Sequence, residues 1–463
     1  MSEQRRTAPS PRTVQKGRGI TVALAVVLLA VLSLLLVSVL LILHKDGPTP
    51  LHTKEELSAL VSTVSVEGKS TVTDCLRAWE FYDFDSGKLK RVESTFRTQY
   101  YKELPAVSAL AEQTALTFLD TYYDTVDFEN TASYTDALIT SYVLSVGDRY
   151  AVYRTSDEYQ LYSGDMSGSY VGIGVTVEYS RIKETMTVTL VSAGGPAEEA
   201  GIRVGDLIYA VNGAPVSELG YTETVNAIRG EEGTSLSITV LREGEELTFS
   251  MLRRAFTEET VLFSMGEDGI AYIRITQFKL NTGTQFISAM DRAEEMGARA
   301  VIFDLRSNTG GYLTAVTEAL DILAPKGETI VSFGDYAQPI VSKSERRLTL
   351  PAAVLCNGYT ASAAELFTAA LRDYADLTDA PLDVTVIGTV TYKKGVMQNT
   401  YTLSDGSTLT LTVAEYNPPS GKNYDGEGIL PDRIVENTDS GNDRQRTEAE
   451  RLLREKLAAQ ADQ

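Results

Sequence analysis

Strand-like and helix-like patterns alternate along the chain after residue 262, and this alternation restricts the fold more than any other feature. Helical periodicity covers 283–296 and begins again near 312 and 361, between four apolar runs: "GIAYIRI", "AVIFDLR", "AAVLCNG" and "LDVTVIG". Strands with helices packed across them form an α/β layer, in which sites lie at the strand ends. We therefore predict an α/β domain over residues 257–437, with its chemistry in the loops that follow the strands.

The preceding segment, residues 169–256, has a different pattern of short alternating strands and glycine turns. It includes "YVGIGVTVEY", "TMTVTLV" and "SLSITVLREGEELTFSML", with one helical stretch, "YTETVNAIRG". This pattern predicts a β-rich domain. Residues 44–165 read as a turn-rich linker followed by mostly helical patterns with many tyrosines, and residues 438–463 are predicted to form a helical tail. A chain of 463 residues is long enough for these parts.

Residues 20–43 contain no charged side chain and predict a helix that crosses a membrane. As a helix the run would rise about 36 Å, against a hydrocarbon core of about 30 Å. A cleavable signal peptide is the alternative, although the run is long for one and lacks a small-x-small site before His44. Five cations precede the run against the single acid Glu3: Arg5, Arg6, Arg12, Lys16 and Arg18. The positive-inside rule then places residues 1–19 in the cytoplasm and the chain after Lys45 outside.

The net charge and the cysteine content indicate which partners are unsuitable and how the fold is stabilised. A formal net charge of -21 argues against a nucleic-acid partner, because phosphate binding needs a basic face. The two cysteines, Cys75 and Cys356, are far apart in the sequence, and we interpret them as buried thiols rather than a disulfide. An exported chain with so few cysteines must be stabilised by its core.

One serine stands out in the stretch "NGYTASAAELF", residues 357–367. Ser362 and Glu365 have the spacing of a capping box ahead of an apolar helix, and this structural interpretation is favoured by the stretch alone. The alternative is a nucleophile, which needs a base. Both histidines of the chain, His44 and His52, lie in its first 52 residues, so the base would have to be a lysine or a carboxylate.

A lysine suited to that role occurs in "IGTVTYKKGVMQNTYTL", residues 387–403. Burial among aliphatic residues lowers the pKa of a lysine and makes it a base. If the run is a strand, Lys394 and Gln398 share a face and Lys393 points the other way. The Gln398 oxygen could then hold the Lys394 amine. Surface exposure is the structural alternative for either lysine.

Two further glycine-containing loops provide backbone donors. "DLRSNTGGYL", residues 304–313, places Gly310 and Gly311 where a strand gives way to a helix, so N–H groups there can approach a substrate closely; an ordinary glycine turn explains the pair equally well. "GIGV" followed by "GGPAEEAGIRVGDLIYAVNGAPV" closely resembles a PDZ domain of the bacterial protease-associated type. Such a domain holds a terminal carboxylate on backbone N–H groups while the peptide adds to the sheet edge. The donors implied here are Gly172, Ile173, Gly174 and Val175.

Taken together, these stretches resemble the carboxy-terminal processing peptidases, also called tail-specific proteases, over about residues 130–435. The motifs follow the family's order: "LSVGDRYAVY", the PDZ segment, "DLRSNTGG", "NGYTASAAELFTAALRDY", "TYKKGVMQ" and "YNPPSGKNYDGEGILPD". The resemblance assigns Ser362 as nucleophile, Lys394 as general base and Gln398 as its orienting partner. It implies an oxyanion hole from Gly311 and the Ala363 backbone, and supporting roles for Glu365, Asp373 and Thr391. Two departures are Lys393, where the family usually has glycine, and a longer loop over 374–383.

The function implied by the resemblance is a serine endopeptidase, anchored in the bacterial cell membrane, that cleaves extracytoplasmic proteins near their C-termini. No metal or other cofactor is implied, and the partners are proteins or peptides with a free C-terminus. The resemblance also implies dimer contacts in the helical region before residue 165. A catalytically silent PDZ scaffold and a serine-lysine amidase of cell-wall peptides are the alternatives; retention of both Ser362 and Lys394 argues against the first.

Overall fold

The computed structural model describes residues 52–180, 185–192, 194–376, 381–437 and 441–461. These residues form two compact units, one with the residues up to Lys90 and Pro105–Ser145, the other with Arg91–Leu104 and the residues from Val146 onward. The predicted cytoplasmic tail and membrane span, 1–43, lie outside the described residues. Among the residues that are described, no helix is both long and apolar enough to cross a membrane.

The N-terminal part of the chain is helical. Its helices are α1 (Lys54–Thr63), α2 (Val72–Ala78), α3 (Ser86–Gln99), α4 (Val107–Thr121) and α5 (Thr131–Ser145). Thr53 and Glu56 form a capping box that starts α1. Aromatic side chains fill the interior of the first unit, where Phe118 contacts both Phe81 and Tyr134. The tyrosine-rich pattern thus belongs in part to a hydrophobic core.

The predicted PDZ segment lies within the second unit and has its own sheet, of order β3-β4-β5-β7-β8, with β6 beside β5. Its elements are β2 (Ser169–Gly172), β3 (Val175–Ser180), β4 (Thr185–Val191), α7 (Pro196–Ala200), β5 (Leu207–Val211), β6 (Ala214–Pro215), α8 (Val216–Ile228), β7 (Ser235–Arg242), β8 (Glu245–Leu252) and β9 (Arg254–Thr257). β2 and β9 pair with each other where the chain enters and leaves the domain. β3 is an edge strand of this sheet, with β4 as its neighbour.

The C-terminal domain contains a six-stranded sheet of order β10-β11-β12-β15-β16-β19. Its elements are β10 (Val261–Met265), β11 (Ile270–Ile275), α9 (Thr282–Glu295), β12 (Ala300–Asp304), α10 (Leu313–Asp321), β15 (Ala352–Cys356), α11 (Ala363–Ala375), β16 (Val384–Gly388), β19 (Arg433–Ile434) and α12 (Arg444–Ala461). Every pair after the antiparallel β10–β11 hairpin is parallel. This confirms the predicted α/β domain.

Both faces of this sheet are covered, which explains why its strands are apolar along their whole length. Helices α9, α10 and α11 pack on one face in a core that includes Phe286, Phe303 and Phe367. The predicted C-terminal helix, α12, covers the other face with Leu452 and Leu453. The carboxyl ends of β12 and β15 therefore emerge at one edge, and the loops that follow them can meet there.

A second, three-stranded sheet lies in the same unit and carries the lysine stretch. It has the order β1-β18-β17. Its strands are β1 (Val152–Arg154), β17 (Val396–Thr402) and β18 (Thr408–Glu415), and helix α6 (Ser156–Met166) follows β1; the short pair β13 (Thr329–Val331) and β14 (Ile340–Val341) is separate. Lys394 precedes β17 rather than lying in it, so the strand parity that we used to choose it does not apply directly.

Candidate active site

Ser362 lies at the turn between β15 and α11, in a backbone conformation that is unusual for a side chain larger than glycine. Its φ and ψ angles are 56° and -119°. Residues other than glycine seldom have positive φ, and when they do the surrounding structure must hold them there. The Glu365 carboxylate does so by accepting a 2.9 Å hydrogen bond from the Ser362 N–H, as in a capping box. One turn can therefore act as a cap and still present the half-buried Ser362 side chain to the cleft.

Glu365 connects this turn to the lysine stretch. Its side chain has no exposed surface. One oxygen accepts from the N–H groups of Ser362 and Lys394, at 2.9 and 2.8 Å, and the other accepts from the Lys393 N–H at 2.8 Å and the Thr391 hydroxyl at 2.5 Å. A single buried carboxylate thus fixes the backbone of both predicted catalytic residues.

The Lys394 amine is held by Gln398, whose Oε1 accepts a 2.7 Å hydrogen bond from Nζ. The side-chain NH₂ group of Gln398 in turn donates to the Tyr150 carbonyl. This bond leaves the Gln398 oxygen facing Lys394. The Tyr150 ring lies 4.6 Å from the Lys394 amine. The pKa of Lys394 is lowered from its ordinary value, chiefly by burial and in addition by the nearby charge of Arg149. The carboxylates Asp148 and Glu365 act in the opposite direction and raise that pKa.

Lys393 has a different role from its neighbour. Its side chain is exposed, and its φ of 82° lies in the left-handed region that favours glycine. This conformation suits the glycine that the family resemblance leads one to expect at this position. The neighbouring cation that lowers the pKa of Lys394 is Arg149, whose guanidinium donates to the Lys393 carbonyl at 3.3 Å.

The glycine pair approaches the serine turn too closely for any other residue type. A Cβ on Gly310 would lie 2.8 Å from the Ser362 Cβ, and one on Gly311 would lie 2.1 Å from the Phe278 carbonyl oxygen. Asn308 holds this loop through its side-chain oxygen, which accepts from the Gly310 N–H at 2.8 Å. Among the described residues, the N–H groups of Gly311 and Ala363 have no acceptor. Both are available to a substrate oxygen.

The predicted catalytic residues share one cleft of about 590 Å³. Ser362, Ala363, Gly311, Lys394 and Gln398 all line it. Much of the remaining wall is aromatic or aliphatic, from Tyr159, Tyr162, Met166, Tyr312, Leu313 and Met397. Such a surface binds apolar side chains and excludes water from a buried amine.

The two other supporting residues lie at different distances from this cleft. Thr391 is buried and, besides its bond to Glu365, accepts from the Ile429 N–H at 2.8 Å. Asp373 lies farther along α11, where it accepts from the Ser420 N–H at 2.9 Å. Thr391 therefore supports the carboxylate itself, whereas Asp373 holds the loop that follows β18.

The predicted tail-binding loop of the PDZ domain lies at the start of the edge strand β3. The carbonyls of Ile173 and Gly174 accept from the Ala197 and Ser192 N–H groups, at 3.0 and 2.8 Å. The N–H groups of Ile173 and Gly174, by contrast, donate to no group in the described part of the chain. Buried, unused backbone donors beside a free strand edge suit a peptide carboxylate.

Several residues of the site have no role in our sequence analysis. Tyr150 orients Gln398 across 248 positions of sequence, and Tyr416 and Tyr424 lie behind Ser362 and Lys394. The motifs "LSVGDRYAVY" and "YNPPSGKNYDGEGILPD" contain all three tyrosines. Their position inside these motifs is the sequence feature that could have indicated a role. The groups that the tyrosines contact, however, are determined by the fold.

Comparison with known families identifies two segments of the chain. Residues 269–435 match the model of peptidase family S41, and residues 187–242 match that of a PDZ domain. The segment 269–435 is therefore similar to the peptidase domain of family S41. The S41 match covers the serine turn, the glycine pair and the lysine stretch, and the PDZ match begins after the predicted tail-binding loop.

Curated relatives of this chain include the carboxy-terminal processing protease CtpA of Bacillus subtilis, which is 33% identical over 67% of this chain and 65% of its own length. A probable CtpA-like serine protease of Staphylococcus haemolyticus is 31% identical over 66% of this chain and 61% of its own. The chain thus spans less than two thirds of these relatives. Among solved structures, the photosystem II D1 C-terminal processing protease has 24% identity and a TM-score of 0.43, over 75% of this chain and 92% of its own.

Proposed function

We propose that this protein is a serine endopeptidase that cleaves proteins near their C-termini with Ser362 as nucleophile and Lys394 as general base. The observation that carries the proposal is the shared cleft, in which a lysine of lowered pKa faces a strained serine turn and both backbones bond one buried carboxylate. A serine without histidine needs such a base. The names of the curated relatives support the same activity.

The chemistry follows from the positions of these groups. Neutral Lys394 takes the Ser362 proton as Oγ attacks the scissile carbonyl carbon, and the N–H groups of Gly311 and Ala363 stabilise the resulting oxyanion. Collapse breaks the C–N bond, and the leaving amine takes the proton from Lys394. Water then attacks the ester, with Lys394 again as base, and Ser362 regains its proton. Gln398 keeps the amine directed at the cleft through both steps.

Substrate choice is assigned to the PDZ domain, through the loop at Gly172, Ile173, Gly174 and Val175. If its backbone N–H groups hold a terminal carboxylate, charge-assisted bonds of about 1.5–3 kcal/mol depend on that charge. Amidation of the C-terminus of a peptide substrate is therefore expected to reduce kcat/KM by roughly 10- to 100-fold. The measurement compares acid and amide forms of one peptide on the full chain and on a variant without residues 170–254. Equal cleavage of both forms by the full chain would contradict carboxylate selection.

Membrane attachment through residues 20–43, with the catalytic domain outside a bacterial cell membrane, is part of the proposal. It rests on the uncharged run and on the cations before it. Protease added to spheroplasts is expected to digest the chain after Lys45, and detergent lysis should add nothing to that digestion. Protection of this part until lysis would contradict the proposed orientation and place the part after Lys45 in the cytoplasm. Association of two copies through the helical N-terminal part stays a prediction.

The alternative function is a silent PDZ scaffold that binds protein C-termini and uses the S41 domain as structure only. The two functions differ in one property, the reactivity of Ser362. A fluorophosphonate, which forms a covalent bond with an activated serine, is expected to label the peptidase and not the scaffold. Peptide binding to the PDZ domain would not distinguish the peptidase from the scaffold, because it is expected of both.

A further inference from the structure

The turn from Asp148 to Ala151 lies beside the lysine of the cleft, although it comes from a distant part of the sequence. The Tyr150 carbonyl accepts a hydrogen bond from the Gln398 side chain, and the centroid of the Tyr150 ring lies 4.6 Å from Lys394 Nζ. The Ala151 N–H donates to the Asp148 carbonyl at 3.0 Å and closes the turn. The turn thus contacts both the proposed base and its orienting partner.

Asp148 attaches this turn to strand β18. Its buried carboxylate accepts from the Tyr150 N–H at 3.1 Å and from Thr412 twice, through the hydroxyl at 3.0 Å and the N–H at 2.9 Å. Thr412 is the residue directly opposite Gln398 in the β17–β18 pair. The carboxylate therefore fixes the Tyr150 carbonyl against the strand position next to Gln398.

The side-chain amide of Gln398 has two orientations, and only one of them suits a basic lysine. A neutral amine has two N–H groups and one lone pair, and the lone pair must stay free to take the serine proton. Gln398 Oε1 accepts from Lys394 Nζ at 2.7 Å, which leaves the lone pair of the neutral amine free. After a half-turn of the amide, its NH₂ group would donate to that lone pair instead. The Tyr150 carbonyl can only accept, so it keeps the NH₂ group on its own side.

We propose that Asp148 and Tyr150 are positioning residues for the catalytic lysine, which act through the orientation of the Gln398 amide. Asp148 holds the turn, the Tyr150 carbonyl holds the amide, and the amide holds the amine of Lys394. This inference rests on the proposed peptidase function. It extends the support of the base to a turn that lies outside the segment 269–435.

The test is a double-mutant cycle on the full chain, with an internally quenched peptide that has a free C-terminal carboxylate. Asp148→Ala leaves the N–H groups of Tyr150 and Thr412 without this acceptor and releases the turn. It is expected to lower kcat about 10- to 100-fold, with KM within about twofold, because a misplaced base slows the chemical step. Gln398→Ala should lower kcat at least as far. Adding Asp148→Ala to Gln398→Ala should then change kcat by less than about twofold, although the melting temperature falls, because the two residues act in series.

Each kcat is taken from the plateau at high pH, which separates the effect of position from that of charge. Asp148 also raises the pKa of Lys394 through its charge, as Glu365 and Asp425 do, whereas Arg149 lowers that pKa. Loss of the Asp148 charge therefore lowers the pKa of Lys394 and moves the rise of kcat to lower pH. An effect of charge alone would leave the plateau at its wild-type value.

Asp321→Ala is the matched control. The Asp321 carboxylate also accepts from two backbone N–H groups, those of Lys343 and Ser344 at 2.6 and 3.3 Å, and none of these three residues lines the cleft. This variant should have a lower melting temperature and a plateau kcat within about twofold of wild type. If Asp148→Ala does not fold, Thr412→Val takes its place in the cycle. Thr412→Val removes only the hydroxyl bond to Asp148 and should lower the plateau kcat about 3- to 10-fold.

Three outcomes would overturn the proposal while the peptidase function stands. They are a wild-type plateau in the folded variant, additive losses of kcat in the cycle, and an equal loss of kcat in Asp321→Ala. Absence of cleavage by the unaltered chain would instead contradict the peptidase function, and the positioning proposal with it.

Discussion

Replacement of either Ser362 or Lys394 by alanine is expected to reduce peptide cleavage by about 10⁴-fold or more, because loss of a nucleophile or its base removes the covalent route. Both variants should remain folded. The Ser362 side chain is small and faces the cleft, and Glu365 holds the Lys394 position through backbone bonds that alanine keeps. The measurement is kcat/KM for one peptide with each purified variant, alongside its melting temperature.

Lys393→Ala is the control for this prediction. It removes the same side chain one position earlier, from an exposed site. Alanine has the same difficulty as lysine with the positive φ of residue 393, so the backbone cost is unchanged. Activity should stay within about twofold of wild type, as for most surface substitutions. An equal loss at Lys393 and Lys394 would show that the loop, rather than the Lys394 amine, determines activity.

Glu365→Ala is expected to be costly for stability as well as for catalysis. It leaves the N–H groups of Ser362, Lys393 and Lys394 buried without their acceptor. At roughly 1–3 kcal/mol for each unsatisfied donor, the free energy of unfolding should fall by about 3 kcal/mol or more. Displacement of the backbone at Ser362 and Lys394 should lower kcat by at least about 100-fold. Chemical denaturation and peptide cleavage measure the two effects.

Glu345→Ala is the surface control for that experiment, since its side chain is 82% exposed and, among the described residues, pairs with the exposed Lys326. Glu345→Ala should change neither the free energy of unfolding nor kcat detectably. Glu365→Gln keeps the volume and one acceptor oxygen, and provides a folded variant if Glu365→Ala does not accumulate. Full activity in Glu365→Gln together with wild-type stability in Glu365→Ala would contradict the assigned role of the carboxylate.

The α/β order of the C-terminal domain could be predicted because sheet strands buried on both faces are continuous apolar runs, and the helices between them keep their own period. The cap at Ser362 could also be predicted, since Glu365 lies three positions away and the contact is local. Both predictions depend on neighbours in sequence. The resemblance to a known family then related the serine to a lysine 32 positions later, which no local pattern could have done.

What could not be predicted depends on backbone conformation and on distant contacts. The positive φ of Ser362 and Lys393 follows from the packing of two loops, not from propensities of serine or lysine. Strand parity selected Lys394 over Lys393, but Lys394 precedes β17, and Glu365 fixes its backbone instead. Tyr150 contacts Gln398 from 248 positions earlier in the chain. Contacts of this kind arise only when the three-stranded sheet forms.

The most direct test of the account is the rate at which a fluorophosphonate labels the protein, followed across pH and localised by mass spectrometry. The account predicts one adduct, on Ser362. Because the lysine must be neutral to act and burial lowers its pKa from the ordinary value, labelling should rise with pH and level off below the usual lysine range. Lys394→Ala should not be labelled. An adduct on another residue, or equal labelling of Lys394→Ala, would contradict a Ser362–Lys394 dyad.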